Sequence, residues 1–244
     1  MPKKRFAPGL WSTLAVLVLA PLFAGLSYWQ LQRAEIKETL LAQRDNAKDV
    51  APVSVTGSEN ITGLHLQNVL LECVLQIDKQ FLLDNRVFEQ RVGYEVLLPC
   101  TVSKDESVLL NRGWIAAGTS REDLPDVTLQ AQASKSMRIE GVFVVPGRAV
   151  AQGELFDPGE QVWPRRIQFY DYAELGRVLS QNLMRGIVIL EKESPLVLEY
   201  NWQPIAFGPE KHYAYAAQWA AFLLLLLILY AALNVKNVET EEHS

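Results

Sequence analysis

The chain has 244 residues, 49 % of them hydrophobic, with 23 Lys and Arg against 28 Asp and Glu and a net charge of −5. That acidic balance argues against a nucleic-acid binder. The three histidines and two cysteines have none of the spacings of a zinc cluster.

The apolar residues are concentrated towards the two ends. Residues 6–32 and 213–235 are uncharged and mostly apolar. A helix crossing ~30 Å of hydrocarbon needs about 20 apolar residues, and residues 10–29 and 213–233 each supply them. Trp11, Tyr28 and Trp29 stand near the ends of the first run, and Tyr213, Tyr215 and Tyr230 near those of the second, as interfacial aromatics do. Lys3, Lys4 and Arg5 precede the first span. The positive-inside rule then puts the N-terminus in the cytoplasm, the central domain outside it, and the tail back inside. The other reading of the first span is a cleaved signal peptide ending at Leu22-Phe23-Ala24. The length of the run, continued through Tyr28-Trp29, favours an uncleaved anchor. The expected division is a cytoplasmic N-terminus (1–9), a first transmembrane helix (10–29), an extracytoplasmic domain (30–212), a second transmembrane helix (213–233) and a cytoplasmic tail (234–244). Ala214, Ala217 and Ala221 on one span, and Ala24 and Gly25 on the other, are small enough to let the spans approach.

The region between the spans, residues 33–212, carries 19 Lys and Arg and 25 Asp and Glu, mixed in sign along its length. Residues 33–48 continue the first span as a helix, with Ile36, Leu40 and Leu41 at helical spacing. Residues 51–63 read as a loop. Val69, Leu71, Cys73, Leu75 and Ile77 alternate as a strand. Further strands are expected over 81–87, 94–102, 108–115, 138–145 and 161–169. Asp171 caps a helix over 172–181. Residues 185–190 and 196–200 are the last expected strands. Many short strands with one or two helices predict an α+β membrane protein whose extracytoplasmic domain is antiparallel β, barrel-like or a sandwich. Cys73 and Cys100, 27 positions apart on apolar strand faces, are either a disulfide or two buried thiols.

No metalloprotease, nucleophile-elbow or phosphate-loop motif occurs, which disfavours an enzyme. Two polar–aromatic runs stand out: Asp84-Asn85-Arg86 followed by Gly93-Tyr94, and Asn111-Arg112-Gly113-Trp114. Two readings stand for them. One is strand-edge chemistry, with Asn and Gly in turn conformations and Arg satisfying carbonyls. The other is a recognition surface, because Arg and Trp are enriched at binding hot spots. His212, just before the second span, shares a helical face with Tyr215, Trp219 and Phe222. Its imidazole can either give one axial bond to a haem iron or sit unliganded among interfacial aromatics.

The chain also resembles the Surfeit locus protein 1 family of cytochrome c oxidase assembly factors, from end to end and in order. Tyr28-Trp29-Gln30-Leu31-Gln32-Arg33 is similar to the family signature at the exit of the first span. Asp84-Asn85-Arg86, Gly93-Tyr94-Glu95-Val96 and Asn111-Arg112-Gly113-Trp114-Ile115 are similar to its central strands. His212-Tyr213-Ala214-Tyr215-Ala216 with Trp219 is similar to its entry to the second span. Lys211 departs from the Asn that often precedes the family's His. The resemblance implies a bacterial inner-membrane protein with a periplasmic domain and cytoplasmic termini. It implies an assembly chaperone that assists haem a insertion into the catalytic subunit of a haem–copper oxidase, alongside other assembly factors. His212 is then the axial ligand, with Tyr215 and Trp219 beside the haem, and Trp29, Arg33, Arg86, Asn111, Arg112, Gly113 and Trp114 are motif positions without an assigned role. The alternatives are an oxidase-subunit chaperone without cofactor and, from a different class, a membrane-anchored envelope enzyme.

Overall fold

The computed structural model describes residues 3–58, 61, 63–129, 136–147, 153–156, 162–204 and 208–238. Gln161 of the expected sixth strand and residues 239–244 of the tail lie outside the described residues. Along the chain the elements are β1 (Lys3–Phe6), α1 (Leu10–Lys48), β2 (Val53–Val55), β3 (Asn68–Leu75), β4 (Phe81–Phe88), β5 (Arg91–Ser103), β6 (Glu106–Ala116), β7 (Ser136–Val144), β8 (Arg165–Ile167), α2 (Tyr172–Leu179), β9 (Asn182–Leu190), α3 (Pro209–Leu233) and β10 (Val235–Val238). They fall into two compact units, one of residues 1–42 and 205–244 and one of residues 43–204.

The first unit is a helix pair. Both α1 and α3 are long and apolar enough to cross a membrane, and their most apolar stretches are 0 % and 6 % buried. So little burial is unlike the core helix of a soluble protein and fits a membrane protein. At about 1.5 Å per residue, the 39 residues of α1 outrun a hydrocarbon layer, and the helix continues through Lys48 as its charged extension predicts. On α3 the partly or fully covered positions are Pro209, His212, Ala216, Trp219, Leu223, Leu226 and Tyr230. Steps of four and three alternate there, the seam of a helix packed near-parallel or antiparallel to a neighbour. Across it Phe23 stacks on Trp219 with ring centroids 5.8 Å apart. Ser27 donates to the Ala216 carbonyl at 3.0 Å, and Thr13 meets the Tyr230 hydroxyl at 3.0 Å. The expected small-residue strips are not at this seam: Ala214, Ala217, Ala221, Ala24 and Gly25 are exposed. Close approach falls instead at Ser27 and Ala216, where a hydrogen bond accompanies it.

The far ends of the pair are joined by backbone pairing. β1 and β10 are antiparallel, from Lys3 opposite Val238 to Phe6 opposite Val235. Asn234 reinforces this, its side-chain oxygen accepting from the Gly9 amide at 2.9 Å and its carbonyl from the Ala7 amide at 2.8 Å.

The second unit is an eight-stranded sheet in the order β2-β3-β7-β9-β6-β5-β4-β8, with a further pairing of β3 to β5. That pairing closes a hydrogen-bonded circuit through β3, β7, β9, β6 and β5. The sheet is mixed, which corrects the antiparallel expectation: β2–β3, β4–β8 and β6–β9 are parallel. A parallel pair needs a crossover, and the long connection from β6 to β9, with α2 in it, provides one. Alternation along a single strand cannot report which distant strand will lie beside it. Residues 107–114 of β6 are buried without a break, as expected of a strand covered on both faces. Val108 and Leu110 enter one apolar cluster with Val69, Leu71, Phe143 and Val188. Leu109 enters another with Ile187, Ile189, Leu175 and Leu179, so α2 covers that face.

Asp171 caps α2 as expected, accepting from the Ala173 and Glu174 amides at 3.1 and 3.0 Å. Two further expectations fail. Part of the 51–63 loop is a strand, β2, and residues 196–200 contribute only an isolated bridge between Glu199 and Trp114. Cys73 and Cys100 form a disulfide with their Cα atoms 5.6 Å apart, which decides the alternative that spacing left open.

Candidate functional site

In the strand domain, five of the motif residues come together around the end of β6. Asn111, Arg112 and Trp114 are 3 %, 4 % and 0 % exposed. Asn111 donates to the Glu95 carboxylate at 2.9 Å and accepts from the Gly113 amide at 2.8 Å. Arg112 donates through Nε to the Leu196 carbonyl at 2.9 Å. Its Nη1 donates to Gln80 Oε1 at 2.6 Å and to the Val127 carbonyl at 2.9 Å. These acceptors are neutral, and burial pulls the guanidinium pKa down to about 10. Gly113 has φ +97°, and a Cβ there would lie 2.5 Å from the Glu199 carbonyl oxygen. That close approach lets Trp114 and Glu199 exchange backbone hydrogen bonds of 2.7 and 3.0 Å. The Trp114 indole donates to the Arg86 carbonyl at 2.9 Å, and Arg86 Nε lies 3.8 Å from the Glu95 carboxylate. Arg91 covers the Trp114 ring at 4.7 Å and pairs with Glu199 at 2.6 Å.

Asn85 in the other run is exposed and Arg86 half-buried, whereas for Asn111-Arg112-Gly113-Trp114 the arrangement favours the structural reading. Side chains this enclosed cannot form a recognition surface. They pin β6 to the segments at 77–80, 127 and 196–199. The local chemistry is that of the edge reading, with Arg on carbonyls and Gly at positive φ, but its place is a buried central strand. A separate concavity of about 720 Å³, lined by Asp105, Tyr172, Arg177, Gln181 and Arg185 among others, involves none of the motif residues.

In the helix pair, His212 lies in the first turn of α3, which begins at Pro209. Its Nδ1 is 2.8 Å from Gln30 Oε1 on α1. An amide oxygen only accepts, so in a neutral ring making this contact Nδ1 carries the proton and Nε2 keeps its lone pair. That donor set fits an axial ligand to a haem iron. Tyr215 is 53 % exposed. Trp219 is instead committed to Phe23 and, edge to face at 5.7 Å, to Phe222. The helical face shared by His212, Tyr215 and Trp219 is therefore divided between the seam and the outside. Trp29 and Arg33, one turn apart, form a cation–π pair at 5.6 Å. The one other described histidine, His65, accepts from the Val145 amide at 3.1 Å, and partial burial lowers its pKa.

A model of the SURF1 family matches residues 17–224. The chain belongs to the SURF1 family. It is also similar to a SURF1-like protein of Rickettsia felis, 22 % identical over 231 residues, which cover 90 % of this chain and 95 % of that protein. The SURF1 match includes both the buried knot around Trp114 and the His212 end of α3. Four residues that complete these arrangements went unassigned in the sequence: Gln30, Gln80, Glu95 and Glu199. Gln30 stands out as a polar residue late in an apolar run, and Glu95 lies within Gly93-Tyr94-Glu95-Val96, but the sequence assigns no role to either. The others become legible when strands that are distant in sequence are paired.

Proposed function

We propose that this protein is a membrane-anchored assembly factor for haem–copper cytochrome c oxidase that assists haem a insertion into the catalytic subunit. SURF1 membership supports the assembly role. The observation that carries the haem part is the Gln30–His212 contact, which leaves the imidazole Nε2 available. His212 would hold the haem iron through its imidazole, and the haem would be the group handed to the oxidase. Exposed Tyr215 would lie beside the haem, and Trp219 packs on Phe23 in the seam two turns from His212. A single protein ligand at a membrane edge suits a carrier, because release requires only one bond to break. The protein acts without turnover, as a chaperone and not an enzyme.

In this reading the strand domain lies in the periplasm and both termini lie in the cytoplasm of a bacterial inner membrane. Two independent features support that orientation. Lys3, Lys4 and Arg5 precede the first span. The Cys73–Cys100 disulfide belongs to an oxidising compartment.

The test is purification of the intact protein from cells making haem a. A haem absorption band and the oxidase catalytic subunit should accompany it, and His212→Ala should lose or shift the band. An unchanged spectrum in that variant would sink the ligand assignment. The second reading, a chaperone that stabilises an oxidase subunit without cofactor, is favoured by one observation. In the strand domain, Asn111, Arg112 and Trp114 are buried and hydrogen-bonded to neighbouring segments of the same domain. Co-purification of the subunit without haem would select it.

A further inference from the structure

We propose that Gln30 is a positioning residue that fixes the His212 ring and sets the strength of its bond to iron. This inference rests on His212 being the haem ligand. A histidine ligand usually donates its second ring N–H to an acceptor, which fixes the tautomer and raises the basicity of the ligating nitrogen. Gln30 supplies such an acceptor from 182 positions away, at 2.8 Å.

The contact is built into the helix pair. Gln30 and His212 are both half-buried positions of the seam. One turn along, Ser27 donates to the Ala216 carbonyl, and beyond it Phe23 stacks on Trp219. Groups on packed helices are placed more accurately than groups on loops. The Gln30–His212 distance is therefore set by interhelical packing. A neutral amide also avoids bringing a further charge to the membrane edge. A carboxylate at this position would pull harder on the Nδ1 proton and strengthen the ligand. An amide gives intermediate strength, which suits a site that must both hold and release.

The experiment uses the full chain, purified in detergent from cells making haem a. Gln30→Leu should lower haem retention about tenfold or more. It should also move the ferrous iron–histidine stretching band to lower wavenumber. Gln30→Glu should move that band to higher wavenumber and make the haem harder to reduce. Ser27→Ala removes a neighbouring interhelical hydrogen bond without touching the histidine, and should leave the band in place. A purely structural role for Gln30 would not produce opposite shifts with Leu and Glu. In haem-free wild-type protein, nitrogen NMR of labelled histidine should find the His212 proton on Nδ1, which needs no variant to fold. If haem is absent from the wild type, or if His212→Ala leaves its spectrum unchanged, the ligand reading and this inference both fall. If His212→Ala loses the haem while both Gln30 variants match the wild type, the role of Gln30 alone is overturned. A proton on Nε2 overturns it as well.

Discussion

Arg112 shows how a charged residue can be structural in a family signature. Arg112 is 4 % exposed, and its guanidinium donates to carbonyl and amide oxygens. Removing it strands three acceptors in a dry interior. Arg112→Met should destabilise the protein by about 3 kcal/mol. Arg91→Met, which breaks a solvent-exposed pair with Glu199 and a cation–π contact on Trp114, should cost clearly less than Arg112→Met. Denaturation of the full chain in detergent compares the two, and equal losses would contradict the assignment. Gly113→Ala combines positive φ with a contact on the Glu199 carbonyl, and should cost about 2 kcal/mol. The sequence exposed the residue types in Asn111-Arg112-Gly113-Trp114 but not their enclosure. Their partners Gln80, Val127 and Leu196 are 15 to 84 positions away from Arg112, too far for local spacing to predict.

Among the elements, α2 was the most legible. Asp171 announces its start, and Leu175 and Leu179, one turn apart, mark the face laid on the sheet. Asp171→Ala should lower stability by about 1 kcal/mol through loss of the cap. The Tyr172 hydroxyl is buried without a hydrogen-bond partner. Tyr172→Phe should therefore leave the melting temperature unchanged or raise it, because an unsatisfied polar group is removed. The β3–β5 staple is a different matter. The disulfide closes a loop across a separation of 27 residues, for which chain entropy gives about 3–4 kcal/mol. Cys73→Ala should lower stability by that order in an oxidising buffer and by little in a reducing one.

At the scale of the whole molecule, pH reports on several buried groups together. Burial raises the pKa values of Tyr170 and Tyr172 above the ordinary phenol value of 10. Above that pH the unfolded chain loses phenolic protons that the folded protein retains, so stability falls as pH rises. Arg112 works in the opposite sense. Its pKa drops to about 10 from 12.5, so over that window the unfolded chain binds the extra proton and stability rises with pH. Two tyrosines outweigh one arginine, and the unfolding midpoint of the full chain should decline above pH 10. Tyr170→Phe with Tyr172→Phe should weaken the decline, the part left coming from Tyr200, whose pKa burial also raises. The pairing of β1 with β10 puts residues 3–6 and 235–238 at one end of the helix pair. Reporters active only in the cytoplasm should therefore work when fused to either end, and activity from one end alone would contradict the proposed topology.

The sequence by itself determined the two long apolar helices, the position of most strands, the Asp171 cap and the family. Each of these is written in local composition, periodicity or motif order. The mixed sheet, the parallel entry of β9 beside β6, the Cys73–Cys100 pairing and the burial of the Trp114 motif were decided only by tertiary structure. All four depend on segments far apart in the chain meeting in space, and one strand's alternation says nothing about its neighbour. The same holds at the helix pair. His212 was visible as a polar residue at the mouth of an apolar run, but the acceptor on its second nitrogen was not. Gln30 lies on the other helix, and only packing brings the two together.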